Sequence, residues 1–120
     1  MPRTIFERYG GFAKISRVVM SFYDKMTSSP ITKKYFDNIN MKRLIDHQTK
    51  FVSAMMGGPA SYTNEHLERV HAQLGITNVA FDEAVDMLEE TLEDHNFEDE
   101  DIDAVKDEVM SRKNFVVTKN

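Results

Sequence analysis

The chain has 120 residues, a formal net charge of −5 and no cysteine, which is length for one domain with a real core and too little for two. Without cysteine there is no disulfide framework, thiolate-held zinc or iron–sulfur site, cysteine nucleophile or Cys-x-x-Cys-His attachment, so any cofactor is held without thiolates. The acidic balance, with Lys and Arg in no dense block, argues against a general nucleic-acid binder. No apolar run reaches membrane-spanning length, and the N-terminus lacks an apolar core of signal type, which predicts a cytoplasmic protein.

Three prolines, five glycines and little strand-type alternation make the class all-α. Thr4 is placed to cap a very short helix that Gly10-Gly11 breaks. A long helix is predicted from about Phe12 to Thr27, with Ile15, Val18, Val19, Phe22 and Met26 on its apolar face and Tyr23 at the border. Ser28-Ser29-Pro30 stops it, and Pro30 opens a short helical turn through Tyr35-Phe36. The next helix, about Met41 to Met56, buries Met41, Leu44, Ile45, Gln48, Phe51, Val52 and Met55, with His47 on the edge of that stripe.

Gly57-Gly58-Pro59 then turns the chain sharply into an extended joint through Tyr62. In the stretch Asn64 to Gly75, Leu67, Val70, His71 and Leu74 recur at helical spacing and Gly75 is placed to end the helix. His71 therefore points into a core, where it is either satisfied by a carbonyl or bound to a metal. After Gly75 a helix carries Phe81, Val85, Leu88 and Leu92 and ends at Asn96; a last one carries Ile102, Val105, Val109 and Met110 to about Arg112. Phe115-Val116-Val117 caps the core or frays.

Several constellations are weaker than they look. His66 and His71 diverge by roughly 140° on a helix, and Leu67 stands where a zinc-protease motif needs glutamate, so His66 is read as solvent-facing. Glu68-Arg69-Val70-His71 matches one half of a di-iron carboxylate motif, but no other histidine supplies the second half. Asp99, Asp101 and Asp103 imitate the start of a calcium loop, yet Ala104 and Met110 stand where its glycine and closing glutamate belong. The acidic run is read as stabilising a helix N-terminus. Met20, Met26, Met55 and Met87 read as core filler. Ser53 and Ser61 have no nucleophile elbow around them.

What remains is His47 and His71 on successive helices joined by the Gly-Gly-Pro turn, a pair that can hold a planar cofactor between imidazoles. Tyr23 and Gln48 add a hydroxyl and an amide beside apolar stripes, where each needs a partner if buried.

Gly10-Gly11 after a stub helix, Phe22-Tyr23, Tyr35-Phe36, His47-Gln48, Phe51, Gly57-Gly58-Pro59 before Tyr62, His71 and Phe81 stand in an order and spacing that resembles the group I truncated haemoglobins. The likeness runs over roughly residues 5 to 95. It implies a two-over-two helical sandwich in a single domain, 1–120, around non-covalent haem b. It implies further that His71 is the proximal iron ligand, that Tyr23 and Gln48 are distal donors to a bound oxygen molecule, and that Phe51 lines a ligand tunnel.

His47 occupies the position from which cyanobacterial relatives supply a sixth iron ligand; the alternative is a polar residue at the pocket mouth. Leu44 stands where many relatives carry glutamine, so the distal network is expected to be smaller. Phe36, Leu44 and Phe81 complete the expected haem surroundings, with Lys50 and Tyr62 as candidate propionate partners. Residues 114–120 contain no histidine, against the covalent haem link of some cyanobacterial members. The implied ligands are oxygen, nitric oxide and carbon monoxide. The alternative functions are nitric oxide dioxygenase with an external reductase, or a redox or sensor role with six-coordinate iron.

Overall fold

The computed structural model describes residues 3–59, 63–72 and 74–118. Among them run α1 (Ile5–Arg8), α2 (Phe12–Ser28), a 3-10 turn (Lys33–Phe36), α3 (Met41–Met55), α4 (Asn64–His71), α5 (Asn78–Asp94), α6 (Asp99–Met110) and α7 (Lys113–Val116). Four of the helices start on a side-chain cap. Thr4 and Glu7 form a reciprocal capping box on α1, while Asn40, Thr63 and Thr77 accept from Arg43, His66 and Ala80 backbone N–H groups. Each cap satisfies a donor that the first helical turn leaves orphaned.

α2 is the pivot. It lies against α3 on one side and α5 on the other, and α5 in turn packs on α6, so two helix pairs make two layers. Ile15, Val18, Val19, Met26, Val52, Met56, Leu88, Leu92, Ile102 and Val105 fill the space between them. Among the described residues no helix is long and apolar enough to cross a membrane.

The second glycine pair explains how the stub α1 closes the end of this sandwich. Phe6 N–H donates to the Met56 carbonyl at 3.0 Å. A Cβ at Gly57, where φ is +86°, would lie 2.9 Å from Thr4, and one at Gly58 would lie 2.8 Å from the Phe6 ring and 2.9 Å from the Ser53 carbonyl oxygen. Only glycine lets α1 approach the turn so closely.

Several expectations are corrected. α3 turns Thr49, Val52 and Ser53 fully inward, while Met41, Leu44, Ile45, Gln48, Phe51 and Met55 are half-buried. Small residues allow close helix approach, and the Thr49 hydroxyl is satisfied by donating to the Ile45 carbonyl at 2.7 Å. Leu74 and Met110, assigned to apolar stripes, are 42% and 53% exposed, Leu74 lying beyond the end of α4 at His71 and Met110 being the last residue of α6, and Met20 also faces solvent. His66 is half-buried rather than solvent-facing, with Arg69 Nη2 3.4 Å from its Nδ1. Tyr23 is buried rather than marginal.

Two features had no sequence signal. Asp101 is buried inside the acidic run, held by Arg8 in two hydrogen bonds of 2.9 and 2.6 Å and by the Tyr9 hydroxyl at 2.6 Å. Tyr9 also stacks on Phe97, with ring centroids 3.8 Å apart. The C-terminal residues cap rather than fray: α7 packs on α4, and Thr118 N–H donates to the Ile76 carbonyl at 3.0 Å.

Candidate functional site

α4 is short, and its two ends explain its position. Thr63 caps the start and Leu67 anchors the middle in the core. His71, one turn beyond Leu67, is half-buried, and its Nδ1 lies 2.8 Å from the Leu67 carbonyl oxygen. A carbonyl oxygen only accepts, so Nδ1 carries the hydrogen and Nε2 presents a lone pair. Burial lowers the imidazole pKa and outweighs the opposing effect of the Leu67 hydrogen bond. A neutral ring with a fixed tautomer and one lone pair directed away from its own helix is the form in which histidine ligates a metal.

Tyr23 stands on α2 with its ring edge-on to Phe22 at 5.0 Å and to Phe36 at 5.5 Å between centroids. Among the described residues its hydroxyl has no hydrogen-bond partner, and burial alone pushes its pKa well above the usual phenol value. A neutral hydroxyl without a protein partner is a donor free to meet a bound acceptor. On α3, Leu44, Gln48 and Phe51 form a half-buried stripe of two apolar groups and one amide at spacings of four and three residues. α2 and α3 pack on one another, so Tyr23 and this stripe belong to one layer. That layer is tied toward α4 through Tyr35, whose hydroxyl donates to the Gly75 carbonyl at 3.5 Å.

The remaining candidates separate. His47 and Lys50 lie on the exposed side of α3, and the Lys50 ammonium is 3.6 Å from Asp46. Phe81 is buried near the start of α5, with the Lys113 ammonium 5.6 Å above its ring centroid. Tyr62 lies outside the described residues. No cluster of three or more His, Asp and Glu side chains suited to a metal ion occurs among the described residues. Sequence reasoning also missed a second histidine contact, His95 Nε2 to the Ser21 hydroxyl at 3.1 Å; nothing in the local pattern links these positions.

The Bacterial-like globin family profile matches residues 4–118. The chain is 31% identical over 97 residues to a group 1 truncated hemoglobin of Tetrahymena thermophila, covering 81% of this chain and 80% of that protein. The chain belongs to the truncated haemoglobins. The crystal structure of the Tetrahymena pyriformis truncated hemoglobin in its Fe(III) form matches 98% of this globin and 100% of that chain, with a TM-score of 0.88 and 26% identity. A Synechococcus 2/2 hemoglobin, solved in the cyanomet state with covalently attached heme, matches with the same coverage, TM-score and identity.

Family membership carries a haem-binding role, and the residues of this globin fit the group. The His71 lone pair, the unpartnered hydroxyl of Tyr23 and the apolar side chains of Leu44 and Phe51 fit a bound haem as ligand, hydrogen-bond donor and lining.

Proposed function

We propose that this globin holds one non-covalent haem b through His71 and binds oxygen and other diatomic ligands reversibly. The observation that carries the reading is the Nδ1 contact of His71 with the Leu67 carbonyl, which fixes the tautomer and leaves Nε2 for iron. Haem, when bound, supplies the iron at which the diatomic ligand is held. Tyr23 would be the principal hydrogen-bond donor to that ligand and the Gln48 amide the second. A polar diatomic ligand that draws electron density toward its outer atom is retained by such donors.

Two relations to the solved neighbours support this assignment. Structures of the Tetrahymena pyriformis protein include a tyrosine-to-phenylalanine variant and two glutamine-to-glutamate variants, and the three substituted residues stand at the same intervals as Tyr23, Leu44 and Gln48. Leu44 replaces one of those polar groups with an isobutyl side chain, so retention depends on two donors. Where the Synechococcus neighbour has covalently attached heme, residues 114–120 here offer no histidine for such a bond.

The test is haem titration followed by ferric and ferrous absorption spectra of wild type and His71→Ala. One haem per chain, lost or strongly weakened in His71→Ala, supports the reading; uptake unaffected by the substitution refutes the role of His71. Sustained consumption of nitric oxide in the presence of oxygen and a reductase would move the protein from ligand carrier to nitric oxide dioxygenase, whereas oxidation that stops after one equivalent would not.

A further inference from the structure

The charge of this chain is unevenly divided. Residues 1–59, which contain α1 to α3, carry ten Lys and Arg against four Asp and Glu, while residues 73–120, which contain α5 to α7, carry four against fourteen. The fold keeps these stretches in different layers, because α2 pairs with α3 and α5 with α6. Scattered basic residues that form no block in the sequence are thus concentrated in one half of a fold whose net charge is negative, where Arg8 and Lys25 are paired with carboxylates of α6 and α5.

That concentration is densest at the corner between the 3-10 turn and α3. Lys33, Lys34, Lys42 and Arg43 are all exposed, fall within eleven consecutive residues, and have only Asp37 among them as a carboxylate. None of the four forms an ion pair among the described residues, whereas Lys25, Lys50, Lys106, Arg112 and Lys113 all do. Ile31 and Ile39 lie in the same segment and are 38% and 43% exposed. A groove here is lined by Thr27, Pro30, Lys33, Lys34, Phe36 and Asp37, and Phe36 is the ring that meets Tyr23. Exposed apolar side chains beside charge predominantly of one sign are the anatomy of a transient protein interface, with the charges governing encounter rate and orientation.

We propose that this corner docks a small acidic electron-carrier protein, of flavodoxin or ferredoxin type, one aromatic layer from the distal site. The inference rests on the haem reading, since only a bound iron makes an electron useful there. The carrier's reduced flavin or iron–sulfur cluster gives up one electron and is oxidised; ferric iron gains it and becomes ferrous; no bond is made or broken. A long polyanion suits the surface less well, because the acidic α5–α6 layer repels it. A second copy of the chain suits it less well too, since basic face on acidic face is a head-to-tail contact that does not close.

The experiment uses haem-loaded full-length protein and a plant-type [2Fe–2S] ferredoxin as the acidic probe. Binding is followed by NMR titration, and reduction of the ferric form by stopped-flow absorbance. The expected result is association that weakens about tenfold between roughly 20 and 300 mM salt. Combined Lys33→Glu, Lys34→Glu, Lys42→Glu and Arg43→Glu should remove it. Lys33→Gln with Lys34→Gln, a milder change that serves if the reversal disturbs folding, should weaken it several-fold, while Lys14→Glu with Arg17→Glu elsewhere on α2 should change it less.

Ferredoxin binding insensitive to the corner variants overturns the proposal. So does tighter binding to a short DNA duplex or to phosphatidylserine vesicles, and so does salt-sensitive self-association that the corner variants abolish. Haem stoichiometry, read from the same samples, is separate. A chain that takes up no haem refutes the haem reading and the electron-carrying role with it, whereas a haem-loaded chain indifferent to ferredoxin refutes the docking alone.

Discussion

Tyr23→Phe removes one donor and little else. The contacts that hold the ring, edge-on to Phe22 and Phe36, do not involve the hydroxyl, so the phenyl group keeps the same packing. A neutral hydrogen bond contributes about 0.5–1.5 kcal/mol and one to a charged acceptor about 1.5–3 kcal/mol. An oxygen ligand with partial negative charge falls between them, near 1.5 kcal/mol, and about 1.4 kcal/mol is a factor of ten. Oxygen dissociation from the ferrous protein, measured by stopped-flow mixing with carbon monoxide or dithionite, should therefore be roughly tenfold faster in the variant. Carbon monoxide, the less polar ligand, should be affected less. A change below about twofold, with haem content equal to wild type, would refute donation by Tyr23. The pH dependence supplies a second check. Burial raises the phenol pKa, so the wild-type rate should stay flat through the pH at which an ordinary tyrosine ionises. The same shift has a stability consequence with a defined sign. The folded state keeps its proton where the unfolded chain loses it, so stability is intact below the ordinary tyrosine value of 10.0 and falls as pH rises beyond it.

Asp101→Asn should lower the melting temperature by several degrees, because Arg8 and Tyr9 lose the carboxylate that ties α1 to α6. Its carboxyl is held below the ordinary value of 3.8, first by the Arg8 hydrogen bond, so its contribution is present above that value and lost as pH falls through the folded one. Acid melts of wild type and variant should converge below about pH 4, and parallel curves would argue against the assignment. Gly58→Ala places a methyl group against the immobile Ser53 carbonyl and the Phe6 ring, a loss of about 1–3 kcal/mol by overpacking that urea unfolding can measure. An unchanged midpoint would mean that α1 is not docked as described. His47→Leu should leave the ferric spectrum unchanged, since His47 lies on the exposed side of α3; conversion from low-spin to high-spin would show that it reaches the iron.

Helices were legible wherever periodicity and punctuation agreed. The two glycine pairs, Pro30 and the apolar runs on α2, α5 and α6 located those elements to within a few residues, because apolar spacing and chain breakers are local properties. α3 was legible as a helix but not in its rotation. Its largest apolar residues mark a half-buried face, while its fully buried positions are Thr49, Val52 and Ser53. Hydrophobicity ranks residues by what burial gains and is silent on how little volume a packed interior leaves, so small hydroxyl residues at buried positions are missed.

The site divides along the same line between local and non-local causes. His71 could be singled out because its register on α4 and its carbonyl acceptor one turn back belong to one helix. Tyr23 could not be ranked above any other border tyrosine by spacing alone. Its burial is completed by Phe36, thirteen positions away beyond a proline-initiated turn, and only the resemblance to a family singled it out. Asp101 lies further still from prediction. Its partners Arg8 and Tyr9 stand more than ninety residues earlier, and its sequence surroundings, one acid among many, point toward solvent. A buried carboxylate is tolerable only where a fork of donors meets it, and that meeting is a property of the closed sandwich rather than of either segment. Replacing any neighbouring acid of the run, such as Asp99 or Glu100, should therefore matter far less than replacing Asp101, although in sequence the three are interchangeable.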